Sequence, residues 1–148
     1  VFAADGRLRH MVDRGLNTDE CAEPNVFAVT AAIVAFTQGE DWLNQLRAYI
    51  AENRRTAADY IAENIPQLHM VDSRATYLLW LDCSGITDNS RQLAQFIRSK
   101  TGLFLSAGSP YRGNGAIFLR LNAACPRSVL LDGLERLRQG VYAYMLQD

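Results

Sequence analysis

The sequence has almost no lysine. Of its fifteen basic residues only Lys100 is one, the rest being arginines, so chemistry that needs a side-chain amine must use that position or import it. Cysteine is scarce as well. Cys21, Cys83 and Cys125 lie far apart, with no CxxC or Cys/His spacing, which argues against a zinc site and a disulfide framework. They read as three reduced, mostly buried thiols in a cytoplasmic protein. An excess of one charge is missing too: the net charge is −1, so no broad field draws in nucleic acid or an anionic membrane, and neither partner is expected. No run approaches the roughly 18 apolar residues of a membrane span. No signal peptide, repeat or low-complexity tract is visible. The chain opens on Val1 without a methionine, giving the expectation of an upstream part.

What is present fits one globular unit. A chain of 148 residues, 49% hydrophobic and 21% charged, has ordinary composition and domain size. It is long enough to bury roughly 68–70% of the surface its unfolded form exposes.

After "VFAA", which reads as the tail of a strand, Asp5 stands where an N-cap belongs before "GRLRHMVDRGL", with Gly15 as a stop. Asn25 precedes "VFAVTAAIVAFTQG", a helix apolar on nearly all sides and therefore predicted to be well buried. Gly39 ends or kinks it. "EDWLNQLRAYIAENRRTAADYIAEN" continues as an amphipathic helix whose inner stripe is Trp42 or Leu43, Leu46, Ile50, Ala57 and Ile61, closed by Pro66.

Beyond this point the pattern becomes strand-like. "QLHMV", "ATYLLWLDC", "LFLSA" and "AIFLRLN" read as strands. "NSRQLAQFIRSKTG" is a short helix stopped by Gly102. A final helix carries Leu130, Leu134, Leu137 and Val141 on one face, and Asn114-Gly115 favours a tight reversal between the last two strands. The order predicts an α+β fold: a two-layer domain over residues 1–148, with a small, mostly antiparallel sheet covered by helices and preceded by long helices.

One strand poses a question. In "FLRLNAACPRS" alternation puts Leu119 and Leu121 on one face and Phe118, Arg120 and Asn122 on the other. A charge beside a packed core must meet a carboxylate, phosphate or water. Arg120 is thus either part of an internal ion pair or solvated face, or a two-pronged clamp for a ligand carboxylate. Other candidates read as structural. "SAGSPYRGNG" precedes a strand, not a helix, and so is no phosphate cradle. His10, His69 and Cys125 lack activating neighbours in sequence. Asp82 looks like a turn residue. Arg54 and Arg55 default to a solvated helix face.

"RLNAACPRSVLLDGLERL" resembles the C-terminal end of fold-type I pyridoxal-phosphate enzymes, within the class I/II aminotransferases and their cystathionine β-lyase-like branch. "NVFAVTAAIVAFTQGEDWLNQLRAYIAENR" is similar to that group's N-x-F-G…A…G-x-x-W-L…Y…N segment, and "ATYLLWLD" to its T-Y-L-x-W-x-D strand. "GLFLSAGSPYRGNGAIFLRLNAACPR" parallels its stretch ending in F-x-R-L-N-x-A-C-P-R. Together these cover nearly the whole chain in the family's order. Two departures stand out: Ala28 follows Phe27 where the family has glycine, and "SPYRG" replaces an F-G loop near Arg120.

The resemblance implies that this chain is the small C-terminal domain of a pyridoxal-phosphate-dependent C–S β-lyase or aminotransferase. Arg120 would grip the α-carboxylate of an amino-acid substrate. It also implies that the cofactor, its lysine and its phosphate-holding groups belong to a preceding N-terminal domain, and that the whole enzyme is a homodimer. Lys100, at a helix end, does not have the setting of that lysine. Arg127, at the start of the last helix, would pair with a nearby acid. The chain alone would be catalytically silent, with no cofactor or metal of its own. Without the resemblance, the same residues fit a free-standing α+β module that binds a small carboxylate or a protein partner through Arg120.

Overall fold

The computed structural model describes residues 4–21 and 23–147. The expected strand tail therefore lies, apart from Ala4, outside the described residues. The chain divides into two compact units, Val1–Gln45 and Leu46–Asp148.

In the first unit, α1 (Gly6–Thr18) starts as its sequence predicts: the Asp5 carboxylate accepts a 2.8 Å bond from the Leu8 N–H. Gly15 does not stop it. An interior glycine costs a helix only about 1 kcal/mol, and Asn17 donates back to the Asp13 carbonyl one turn earlier at 2.8 Å. Asn25 shapes the turn into α2 (Ala28–Gln38) rather than capping it, its side chain accepting from the Phe27 N–H at 2.9 Å. The predicted burial of α2 is not found. No residue of this helix is buried, and Phe36 is 91% exposed. An all-round apolar helix left in water is a surface without its cover.

Helix α3 (Glu40–Asn64) begins directly after Gly39. Its buried residues are Asn53, Ala57 and Ile61. The expected inward positions Trp42 and Leu43 are exposed.

In the second unit, β1 (His69–Met70), β2 (Leu78–Asp82), β3 (Ser106–Ala107) and β4 (Phe118–Asn122) form an antiparallel sheet in the order β1-β2-β4-β3. Alternation gives it two faces. Leu79, Leu81, Leu119 and Leu121 are buried in one core with residues of α3, of α4 (Ser90–Thr101) and of α5 (Arg127–Met145). Each such leucine contributes about 1.5–3 kcal/mol by leaving water. All four residues of the predicted α5 stripe, Leu130, Leu134, Leu137 and Val141, point into this core. Gly102 closes α4 at φ 76°, a left-handed conformation that glycine adopts at no steric cost. The fold is the expected α+β one, with a small antiparallel sheet under helices.

Among the described residues, no helix is long and apolar enough to cross a membrane. No cluster of three His, Cys, Asp or Glu side chains is placed to hold a metal ion.

Candidate functional site

The second sheet face is built by the same alternation that buries the leucines. It carries Trp80 on β2 and Phe118 and Arg120 on β4, all half-buried. Trp80 and Ser106 are the register partners of Arg120 on the two flanking strands. The arginine therefore stands in the middle of a three-strand platform whose backbone is fixed on both sides.

The Arg120 guanidinium donates a long 3.3 Å bond to the Ser106 hydroxyl, and its carbon lies 5.3 Å from the centre of the Tyr111 ring. Tyr111 meets Trp80 edge-on, with centroids 5.1 Å apart, and Trp80 meets Phe118 in the same way at 6.1 Å. Among the described residues no carboxylate pairs with Arg120. The acid on its own sheet face, Asp82, is taken by a turn. Its carboxylate accepts from the Ser84 N–H at 2.8 Å, and that backbone bond, helped by the Ser84 side chain, holds its pKa below the usual carboxylate range. The internal ion pair allowed by the sequence is thus not formed. Most of the five N–H donors of Arg120 remain available on an aromatic floor, where a planar carboxylate can take two at once.

The platform is completed by the β3–β4 loop. The predicted tight reversal at Asn114-Gly115 is instead a wider loop with two 3₁₀ turns, Ser109–Tyr111 and Gly115–Ile117. The loop closes on itself: a Cβ on Gly108 would run into the Gly115 carbonyl, and one on Gly115 into the Gly108 carbonyl. Only a glycine at each position allows that approach. Between them Arg112 has φ 65° and ψ −170°, a region that residues other than glycine enter at a cost of about 1–3 kcal/mol. The conformation is held by hydrogen bonds from the Arg112 N–H to Ser109 at 3.4 Å and from the Gly115 N–H to the Arg112 carbonyl at 3.0 Å.

Behind β4, a second arginine has a different task. Arg127 donates through Nε to Asn53 Oδ1 at 2.6 Å and through a terminal nitrogen to Glu52 at 3.2 Å, while its backbone N–H reaches the Tyr49 hydroxyl at 2.8 Å. Pairing with a nearby acid, as expected, is what it does. Asn53 is fully buried, and its amide donates 2.9 Å bonds to the carbonyls of Ala123 and Cys125. Together they fix the chain that leaves β4 three residues after Arg120.

Arg54, expected on a solvated face, donates to the carbonyls of Ala75 and Thr76 at 3.1 and 3.0 Å and ties down the β1–β2 loop. Lys100 is exposed in the last turn of α4, its amine 6.0 Å from the Phe96 ring centre. Cys21 is exposed, Cys125 half-buried and Cys83 buried, so the thiols are less uniformly enclosed than expected. Burial pushes the Cys83 thiol up to about 11. Sequence reasoning missed Tyr111 and Asn53, and the loop-tying role of Arg54. Only Tyr111, an aromatic residue in a glycine-flanked loop, left a signal.

The family model "Aminotransferase class I and II" matches residues 10–137 of this chain. The chain belongs to that family. Among its relatives are cystathionine beta-lyase PatB of Bacillus subtilis (strain 168), 37% identical over 114 residues, and protein MalY of Escherichia coli (strain K12), 38% identical over 127. The matches take in 77% and 84% of this chain but only 30% and 32% of those proteins. The chain thus spans about a third of the length of the relatives it matches. The crystal structure of the PLP-bound C-S lyase from Staphylococcus hominis superposes with a TM-score of 0.76 at 27% identity, covering 86% of this chain and 34% of that one. That lyase shares the fold of this chain over the superposed part.

Proposed function

We propose that this chain is the C-terminal domain of a pyridoxal-phosphate-dependent C–S β-lyase or aminotransferase, and that it binds the α-carboxylate of an amino-acid substrate through Arg120. The observation that carries the reading is the Arg120 guanidinium, unpaired by any carboxylate among the described residues and laid over Tyr111 on an open sheet face. Family membership over residues 10–137 and the lyase names of the relatives support the class of reaction. The exposed α2 helix supports a longer parent, because its apolar surface is of the kind a missing domain covers.

The division of labour follows from what the chain holds. Arg120 offers a rigid planar fork, and the Tyr111 ring beneath it limits the tilt of that plane. A carboxylate seated on it has its Cα oriented, which removes rotational freedom that the reacting complex would otherwise have to lose. The cofactor itself does not fit the residues present. The only lysine is an exposed one at the end of α4, stacked near Phe96. Pyridoxal phosphate is therefore assigned to the rest of the parent protein, and the chain alone is expected to be inactive.

The test is a visible absorption spectrum of the 148-residue chain and of the full-length gene product, each mixed with pyridoxal phosphate and then reduced with borohydride. The reading expects a covalently trapped cofactor in the full-length protein alone. A cofactor trapped specifically on Lys100 of the isolated chain would overturn it.

A further inference from the structure

The sheet face that carries Arg120 is hollowed beside Trp80 and Tyr111. A cavity of about 300 Å³ opens on it, walled by Val71, Trp80, Tyr111 and Phe118 and edged by Asn114 and Arg112. Its size is at the lower end of the roughly 300–1,000 Å³ of small-molecule sites, and its mostly apolar wall with few polar groups is typical of them. Arg112 is the one charged residue in the lining. Among the described residues its side chain makes no hydrogen bond, ion pair or ring contact, which it shares with Arg47, Arg55, Arg74 and Arg91, but it alone of these lines the cavity.

Arg112 is exposed, but its backbone is not free. Its backbone is held in a conformation suited to glycine, between two glycines whose close approach fixes the loop. A cation is therefore presented at the edge of an apolar cavity in a set place. Trp80 and Tyr111 belong to both sites: Tyr111 lies under the Arg120 guanidinium, meets Trp80 edge-on, and lines the cavity with it. A substrate held at Arg120 by its α-carboxylate has its side chain beside that shared wall.

We infer that the cavity receives the substrate side chain and that Arg112 binds a carboxylate at its end, so that the parent enzyme selects amino acids with an anionic side chain over neutral isosteres. This rests on the reading of Arg120 as the α-carboxylate site. The aliphatic or thioether part of such a side chain lies on Trp80, Tyr111 and Phe118. The terminal carboxylate takes charge-assisted bonds from Arg112, with the Asn114 amide in the same lining as a further donor.

The experiment compares S-(2-carboxyethyl)-L-cysteine with its neutral isostere S-(2-carbamoylethyl)-L-cysteine as substrates of the full-length protein. Formation of 2-oxo acid is followed, since both β-elimination and transamination yield one. The expected result is a kcat/KM preference for the acid of about tenfold or more. Arg112→Gln and Arg112→Gly abolish it, Arg112→Lys keeps part of it, and in each the loss falls chiefly on the carboxyethyl probe. Arg112→Gly also raises Tm, because it removes the backbone cost. An unchanged preference in Arg112→Gln overturns the inference, and so does an equal loss on both probes, which would make Arg112 a loop residue only. Failure of the Arg120 reading looks different: Arg120→Ala would then leave turnover of both probes intact. Turnover of neither probe by the wild-type protein overturns both.

Discussion

Asn53 and Arg127, 74 positions apart, share a 2.6 Å hydrogen bond that closes the end of the Arg120 strand onto α3. The same asparagine satisfies the carbonyls of Ala123 and Cys125. It is fully buried, so removing it strands two carbonyls and one arginine nitrogen together. Asn53→Ala is expected to destabilise the chain by about 2–4 kcal/mol in urea unfolding. In the full-length protein KM should rise more than kcat falls, because the strand that positions Arg120 loosens. A cost within about 0.5 kcal/mol would show that these bonds are replaced by water.

Cys83 sets an alkaline limit. Its thiol stays protonated in the folded state up to about pH 11, whereas the unfolded thiol ionises near 9.0. Above pH 9 the unfolded chain therefore holds fewer protons than the folded one, and stability falls as pH rises towards 11. The full contribution, about 2–3 kcal/mol, is present below pH 9. Tyr60, raised by burial and by its bond to Glu135, pulls the same way. The Cys83 share is the difference in slope between wild type and Cys83→Ala in urea melts from pH 8 to 11, and equal slopes would contradict it. At pH 8 a thiol reagent should modify exposed Cys21 quickly and Cys83 only on unfolding.

Helix α2 offers a test of the proposed longer parent protein. Ile33 and Phe36 are 58% and 91% exposed, so Ile33→Gln with Phe36→Gln should change the stability of the isolated chain by no more than about 0.5 kcal/mol per site. In the full-length protein, where the helix is proposed to be covered, the same pair should cost at least about 3 kcal/mol. Equal, small effects in both proteins would argue that nothing covers α2.

The parts legible in the sequence are those governed by near neighbours. Period-two alternation separated Leu119 and Leu121 from Phe118 and Arg120, and helical spacing found four of the five buried residues of α5, all but Gly140. Asp5 and Gly102 announced helix ends because capping is decided within three or four residues. What was not legible depends on partners distant in sequence. Asn53 and Arg54 look like solvated helix polars until the carbonyls of residues 123, 125, 75 and 76 arrive beside them. Asn114-Gly115 carries a hairpin signal, but the contact between Gly108 and Gly115 sets a wider loop. Burial of α2 was inferred from composition, which says that a helix needs cover and not that this stretch supplies it.

The central claim is that Arg120 recognises a carboxylate at Cα. Its most direct test is kcat/KM of the proposed full-length enzyme for an amino-acid substrate and for the corresponding α-carboxamide, in wild type and in Arg120→Ala. Among the described residues Arg120 has one long hydrogen bond and one ring contact, so the substitution should cost less than about 1 kcal/mol of stability. Wild type should prefer the carboxylate by about 100-fold or more, and the variant should lose that preference, chiefly through the carboxylate substrate. A variant that folds and keeps the wild-type preference would place carboxylate recognition elsewhere and contradict the account.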